Sequence, residues 1–226
     1  MQLDIFHLTC RYGEIRACGP ISFELKSGQS LAVRGINGAG KTSLLRSIAG
    51  CESPDVSGRI LFDGHTVGSA GRFAGGVALV PEGRHIFGPL TVTENLTAAG
   101  AFLPRRERKN RIAEVCRQIP LLEEMGRRKA GLLSGGQQQL LAVGRALMAK
   151  PSILLVDEPF LGLSPRAADQ VADLMKREKQ RGTTVIFTCQ DDPSAASMAD
   201  LALVLLCGTQ TYFGPFSDSI SVPLMP

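Results

Sequence analysis

Short apolar runs separated by turn residues open the chain: LDIFHL, then ISFEL ahead of Ser27-Gly28, then SLAVRG. Runs of this length bounded by glycine and serine predict strands joined by tight turns. The third run ends in a glycine-rich turn. After it, TSLLRSIAG sets Leu44, Leu45, Ile48 and Ala49 on one helical stripe, with Gly50 just past the helix end. A glycine-rich, weakly patterned stretch at residues 64 to 76 leads to another strand in GVALVPEG, and Thr93 is placed to cap a helix from about Glu94. Helical patterns then continue through Lys150, with Leu140, Leu141, Val143, Leu147 and Met148 near one face and Pro151 as the stop. SILLVDE and TTVIFTC are almost continuously apolar, as parallel strands buried on both faces require, and a helix from about Arg166 to Arg181 joins them in a βαβ unit. LALVLLC, from Leu201 to Cys207, reads as a buried strand, far short of the ~20 residues a membrane-spanning helix needs.

A chain of 226 residues with this pattern predicts one α/β domain with two lobes. Its 44% hydrophobic and 20% charged residues exclude disordered and fibrous classes. The net charge of +4 is unevenly spread: Arg105, Arg106, Arg108, Lys109 and Arg111 cluster, and Arg127 to Lys129 follow. No aromatic residues interleave these charges, so a solvated helix face is expected rather than a nucleic-acid surface. The six cysteines at 10, 18, 51, 116, 189 and 207 form no close pair and read as buried thiols in a reducing compartment. Asp4 interrupts the N-terminal stretch where a signal peptide needs an apolar run, so the cytosol is expected.

Gly35-Ile36-Asn37-Gly38-Ala39-Gly40-Lys41-Thr42 fits G-x-x-x-x-G-K-[ST] and falls between a predicted strand and helix. Glycines let the backbone close around phosphate oxygens, amide N–H groups and the helix N-terminus supply positive potential, Lys41 adds a point charge, and the Thr42 hydroxyl can ligate Mg²⁺. This loop serves small-molecule kinases, GTPases, helicases and transporters alike. Further along, Leu133-Ser134-Gly135-Gly136-Gln137 precedes a helical run, and Ile153 to Val156 end at Asp157-Glu158-Pro159. Ser134 and the two glycines at a helix start make a second anion site as well as a helix cap. Asp157, closing an apolar strand, suits a Mg²⁺-linked position, and Glu158 suits the group that polarises an attacking water.

With these motifs in this order, the sequence resembles the ABC ATPase family, whose signature is LSGGQ and whose Walker B strand ends in Asp-Glu. The resemblance implies an α/β P-loop core with an N-terminal antiparallel β region. Residues 1–88 and 151–226 would form the core, and about 89–150 an inserted helical signature subdomain. It implies ATP and Mg²⁺ as cofactors. Gly35, Asn37, Gly38, Ala39, Gly40, Lys41, Thr42 and Ser43 would hold phosphates. Tyr12 would stack on adenine, Thr42, Asp157 and Glu82 would attend the metal, and Glu158, Gln190 and Lys41 would act in catalysis. Ser134, Gly135, Gly136 and Gln137 would meet ATP held by a second ATPase subunit of different sequence, paired head to tail. The loop Leu161 to Ser164 falls where the family's dimer contact lies.

Two positions depart from the generic pattern. Glu82, in Val80-Pro81-Glu82-Gly83-Arg84, stands where the family offers Gln, and Gln190 stands at the switch histidine. Together with LTVTENL, SGGQQQLLAVGRALM and DEPFLGLSP, they make the chain similar to the ATPases of branched-chain amino acid importers and their urea or amide relatives. Two membrane permeases and an extracytoplasmic solute-binding protein are then the implied partners, and the inner face of the plasma membrane the implied location. A soluble member acting on nucleic acid or ribosomes would carry duplicated domains or coiled-coil insertions, which this sequence does not contain. A catalytically weak regulatory subunit would explain the departures at Arg34, Glu82 and Gln190, but Glu158 and LSGGQ oppose it. Arg34, Cys189 and Phe160 do not follow the family pattern, and a divergent tail is expected in Phe216 to Pro226.

Overall fold

A computed structural model describes residues 2–51, 54–66, 76–190 and 193–217. Most of the stretch at 64 to 76, and the tail from 218 onward, lie outside them. The opening strands β1 (Gln2–Tyr12) and β2 (Ile15–Lys26) pair antiparallel, and β3 (Ser30–Arg34) follows. Helix α1 (Lys41–Ile48) carries Leu44, Leu45 and Ile48 on its buried face. Gly50, at φ 67°, ends it in the left-handed conformation the sequence pattern requires. Strands β4 (Asp55–Phe62) and β5 (His65–Thr66) complete an antiparallel sheet of order β2-β1-β4-β5, the expected N-terminal β region.

The central sheet takes its remaining strands from the rest of the chain: β6 (Val77–Val80), β7 (Ile153–Val156), β8 (Thr184–Cys189), β9 (Leu201–Leu206) and β10 (Thr209–Pro215), in the order β10-β9-β3-β8-β7-β6. All neighbours are parallel except β10, which turns back along β9. Between β6 and β7 the chain forms α2 (Val92–Ala99), α3 (Arg105–Gln118), α4 (Pro120–Glu124) and α5 (Gly135–Leu147). Helix α6 (Pro165–Gln180) joins β7 to β8 as the expected βαβ crossover, and the short α7 (Pro193–Ala196) precedes β9.

Alternation along the buried strands divides the core in two. Leu31, Val33, Ile153, Leu155 and Ile186 face α1 and the antiparallel sheet. Ala32, Leu154, Val156, Val185 and Phe187 face α5 and α6. Phe160 packs edge-on against Phe187 at 6.0 Å between ring centroids, and Cys189 is buried in the same cluster. Both departures from the family pattern are thus core packing. Arg34, also buried, lies over the Phe216 ring at 5.6 Å.

Several local expectations change. The cap of α2 is Thr91, not Thr93: Glu94 lies three residues after Thr91, and the two close a reciprocal capping box. Arg111 is not on a solvated face. It is buried, paired with Glu114 at 2.8 Å, and donates to the Leu147 carbonyl at the end of α5, where a cation favours the helix dipole. Cys51 and Cys207 are exposed, while Cys10 and Cys18 face each other across β1 and β2 without a disulfide. Among the described residues no helix is long and apolar enough to cross a membrane.

Asp200 anchors the start of β3. Its carboxylate accepts from the Ser30 amide at 2.8 Å, the Ser30 hydroxyl at 2.9 Å and Lys179 Nζ at 2.8 Å. Partial burial pushes its pKa up, but the Lys179 and Ser30 bonds outweigh this and hold it below the ordinary aspartate value. A depressed folded-state pKa contributes stability above the unfolded pKa and loses it as pH falls through the folded one. Because the pair is partly solvated, Asp200→Asn should cost only about 1 kcal/mol at pH 7, a Tm fall of about 2–4 °C. Thermal melts should show that difference shrinking below about pH 4.

Candidate functional site

Strand β3 delivers the chain into the loop Gly35 to Gly40, which turns directly into α1. Each turn has a steric cause. A Cβ at Gly35 would lie 2.7 Å from the Leu205 carbonyl oxygen. At Gly40, with φ 94°, it would meet the Ala17 carbonyl at 2.6 Å and Cys18 Cβ at 2.7 Å. The glycines let the loop sit against β2 and β9, and Gly38 at φ 80° takes the left-handed turn. Lys41 is only 6% exposed. Its ammonium donates to the Gly35 carbonyl at 2.7 Å and the Ile36 carbonyl at 3.3 Å, and lies 3.1 Å from Glu158 Oε1. The cation is therefore already aimed into the loop, held by partners an incoming phosphate can replace.

Asp157 and Glu158 follow β7 at its carboxyl end. The Asp157 amide extends the ladder to the Val80 carbonyl, and Glu158 then takes φ 46°. A non-glycine residue in that region costs about 1–2 kcal/mol and persists only when its surroundings impose it. Beside it lies Thr188 on β8, whose hydroxyl donates to Asp157 Oδ1 at 2.6 Å and accepts from the Glu158 amide at 2.7 Å. Sequence reasoning passed over Thr188; a hydroxyl inside the run VIFTC was the available signal. Just past β8, Gln190 Nε2 donates to Asn37 Oδ1 at 3.0 Å, tying the end of that strand to the loop between β3 and α1.

Two adjoining cavities lie over these strand ends. One, about 520 Å³, is lined by Thr42, Glu82, Asp157, Glu158 and Leu161 among others. The second, about 400 Å³, shares Thr42, Glu82, Glu158 and Leu161 and adds Asn37 to Ser43 and Gln190. Thr42, Asp157 and Glu82 thus converge on one space. Hard oxygen donors with few carboxylates fit Mg²⁺, which binds one or two carboxylates and takes its other ligands from phosphate and water. Among the described residues no group of three or more His, Cys, Asp or Glu side chains is placed to hold a metal ion.

Two predicted elements lie apart. Tyr12 is exposed at the end of β1 opposite Ile15, and it does not line either cavity. Ser134 caps α5, accepting from the Gln137 amide while the Gln137 side chain accepts from the Ser134 amide, and Ser134, Gly135, Gly136 and Gln137 also lie outside both cavities. Gly136 is required where α5 meets α6, since a Cβ there would be 2.6 Å from Ala167 Cβ.

The loop bearing Glu82 is clamped to the helical segment. Arg84 donates to Gln138 at 3.2 Å, and Arg145 stacks 4.5 Å over Phe87 and donates to the His85 carbonyl. Asn95, fully buried, accepts from the Phe87 amide and donates to the Phe87 and Thr91 carbonyls. None of these three anchors was singled out from the sequence for this role.

The ABC transporter family profile matches residues 18–161. The chain is 41% identical over 198 residues to the high-affinity branched-chain amino acid transport ATP-binding protein BraG of Pseudomonas aeruginosa, covering 86% of this chain and 84% of that protein. It is 36% identical to the sulfate/thiosulfate import ATP-binding protein CysA of Caulobacter vibrioides, over 91% of this chain and 62% of that one. In fold, a nucleotide-free ATP-binding cassette from an ABC transporter superposes with a TM-score of 0.87 at 24% identity, over 97% of this chain and 94% of the other.

The contacts around Gly40 predict that Gly40→Ala cannot be absorbed without moving the loop. Equilibrium binding should show ATP affinity falling at least about tenfold, since both the positive φ and the backbone overlap must be relieved.

Proposed function

We propose that this chain, which belongs to the ABC transporter family, powers an importer for branched-chain amino acids or related small polar solutes such as urea or amides. It is an ATPase of the ABC type, taking ATP with Mg²⁺. The cargo reading rests on 41% identity with a branched-chain amino acid transport protein over most of both chains, together with Glu82 and Gln190. The catalytic reading is carried by one observation: Thr42, Glu82, Asp157 and Glu158 line a single cavity beside Lys41.

In this reading the amides of the Gly35–Ser43 loop and the Lys41 ammonium receive the phosphates, and Tyr12 stacks on the adenine. Thr42, Asp157 and Glu82 would hold Mg²⁺, which would supply positive charge to neutralise the phosphoryl oxygens. Lys41 turning to phosphate frees Glu158 Oε1, now 3.1 Å from it, to orient and polarise the attacking water. Gln190, steadied by Asn37, donates its amide to the γ-phosphate and has no proton to lose near neutral pH.

Ser134 to Gln137 open α5 away from this cavity, so they serve the ATP of a second ATPase subunit of different sequence, paired head to tail. Leu161, 55% exposed, and Gly162, at φ 67°, face that partner. Residues 89–150 act as the helical subdomain that receives the coupling helix of two membrane permeases, with a solute-binding protein on the far side. The chain works at the inner face of the plasma membrane. The clamps from Arg84, Asn95 and Arg145 carry movement of the Glu82 loop into this subdomain.

In the assembled transporter, Glu158→Gln should lower ATP turnover at least about 100-fold and stop uptake of labelled leucine while ATP binding is kept. Equal turnover would remove Glu158 from the chemistry. Gln190→His should acquire a kinetic pKa near about 6 to 7 that the parent lacks. The same break in the parent would argue against the role given to Gln190.

A further inference from the structure

Thr188 is a hydroxyl in a strand that is otherwise core. It is fully buried in β8, on the sheet face it shares with Ile186 and α1, between Phe187 and Cys189, which point the other way. A threonine hydroxyl has one donor and two acceptor positions. Here the donor goes to Asp157 Oδ1 at 2.6 Å, and an acceptor position takes the Glu158 amide at 2.7 Å. Parallel pairing of β7 with β8 ends at Val156 opposite Phe187, so neither strand's backbone partners Glu158. The Thr188 side chain takes over where the ladder stops. It holds two consecutive acidic residues by different handles, one through its carboxylate and the other through its main chain.

We propose that Thr188 is a positioning residue for ATP hydrolysis: its hydroxyl sets the Asp157 carboxylate for the cation and holds Glu158 in the left-handed conformation from which its side chain reaches Lys41. The inference rests on the roles given above to Asp157 and Glu158. Glu158 at φ 46° is strained, and an extended or helical φ would redirect its carboxylate away from the 3.1 Å contact with Lys41. Removing the hydroxyl frees Asp157 to rotate and leaves the part-buried Glu158 amide without its partner. Valine keeps the shape of threonine and loses both bonds. Serine keeps both bonds and loses only a methyl group.

The test is equilibrium ATP binding by the full chain, titrated with Mg²⁺ and repeated in excess EDTA. The Mg²⁺ concentration giving half of the metal's effect should rise about tenfold in Thr188→Val and change less than about twofold in Thr188→Ser. Affinity in EDTA should stay the same in all three proteins, because the phosphate loop is untouched. A loss of packing alone would not single out the metal response in this way. A Thr188→Val protein with the parental Mg²⁺ response overturns the proposal while leaving the nucleotide site intact. A parent whose ATP binding ignores Mg²⁺ removes the site reading and the proposal together. Should Thr188→Val fail to fold, amide exchange at Glu158 in the parent decides. Slow exchange supports the bond to Thr188, and exchange at the rate of an open loop overturns it.

Discussion

The register of β3, β8 and β7 is the constraint on which the site depends. Arg34 lies opposite Cys189, and Val156 opposite Phe187. The Gly35–Gly40 loop, Gln190 and the Asp157-Glu158 pair therefore leave the sheet side by side at the carboxyl ends of adjacent parallel strands, where open α/β sheets bind ligands. A slip of one residue would exchange the two faces of a strand and carry Thr188 away from Asp157. The apolar alternation that fills the two core layers prevents this, since Leu155 and Val156 cannot trade sides without leaving both layers mispacked. Core packing and site geometry are the same fact seen from two directions.

On that frame the candidate site is held by hydrogen bonds and one ion pair within the chain. Lys41 is satisfied by loop carbonyls and by Glu158, so its buried charge is compensated before any ligand arrives. Thr188 and Asn37 hold the neighbouring side chains by single, well-formed hydrogen bonds. The Glu82 loop is attached differently. Its far end is bound to α2 and α5 through Asn95, Arg84 and Arg145, leaving Glu82 itself exposed over the cavity.

Much of this was legible along the chain. Apolar runs at 30–34, 153–156, 184–189 and 201–206 became buried strands, and the glycine spacing at 35–40 became a tight turn between β3 and α1. Short-range rules sufficed because each of these features is encoded within a few residues. The helix cap at Thr91 was misread by two positions: two threonines flank Val92, and only the reciprocal bond with Glu94 distinguishes them. Arg111 was grouped with its charged neighbours because nothing local reveals that the end of α5, 36 residues away, takes its guanidinium. Phe160 and Cys189 read as departures at a site and proved to be core, since their faces were set by strands distant in sequence.

By itself, then, the sequence determined the element types, the glycine-dependent turn between β3 and α1 and the order of the chemical groups, because periodicity, φ preference and side-chain chemistry are local properties. Only the tertiary structure decided which groups meet. Asn37 finds Gln190 across 153 positions, and Thr188 finds Asp157 across 31. Contacts of that kind follow from strand order and register, which depend on how two core layers pack around the whole sheet rather than on any segment alone.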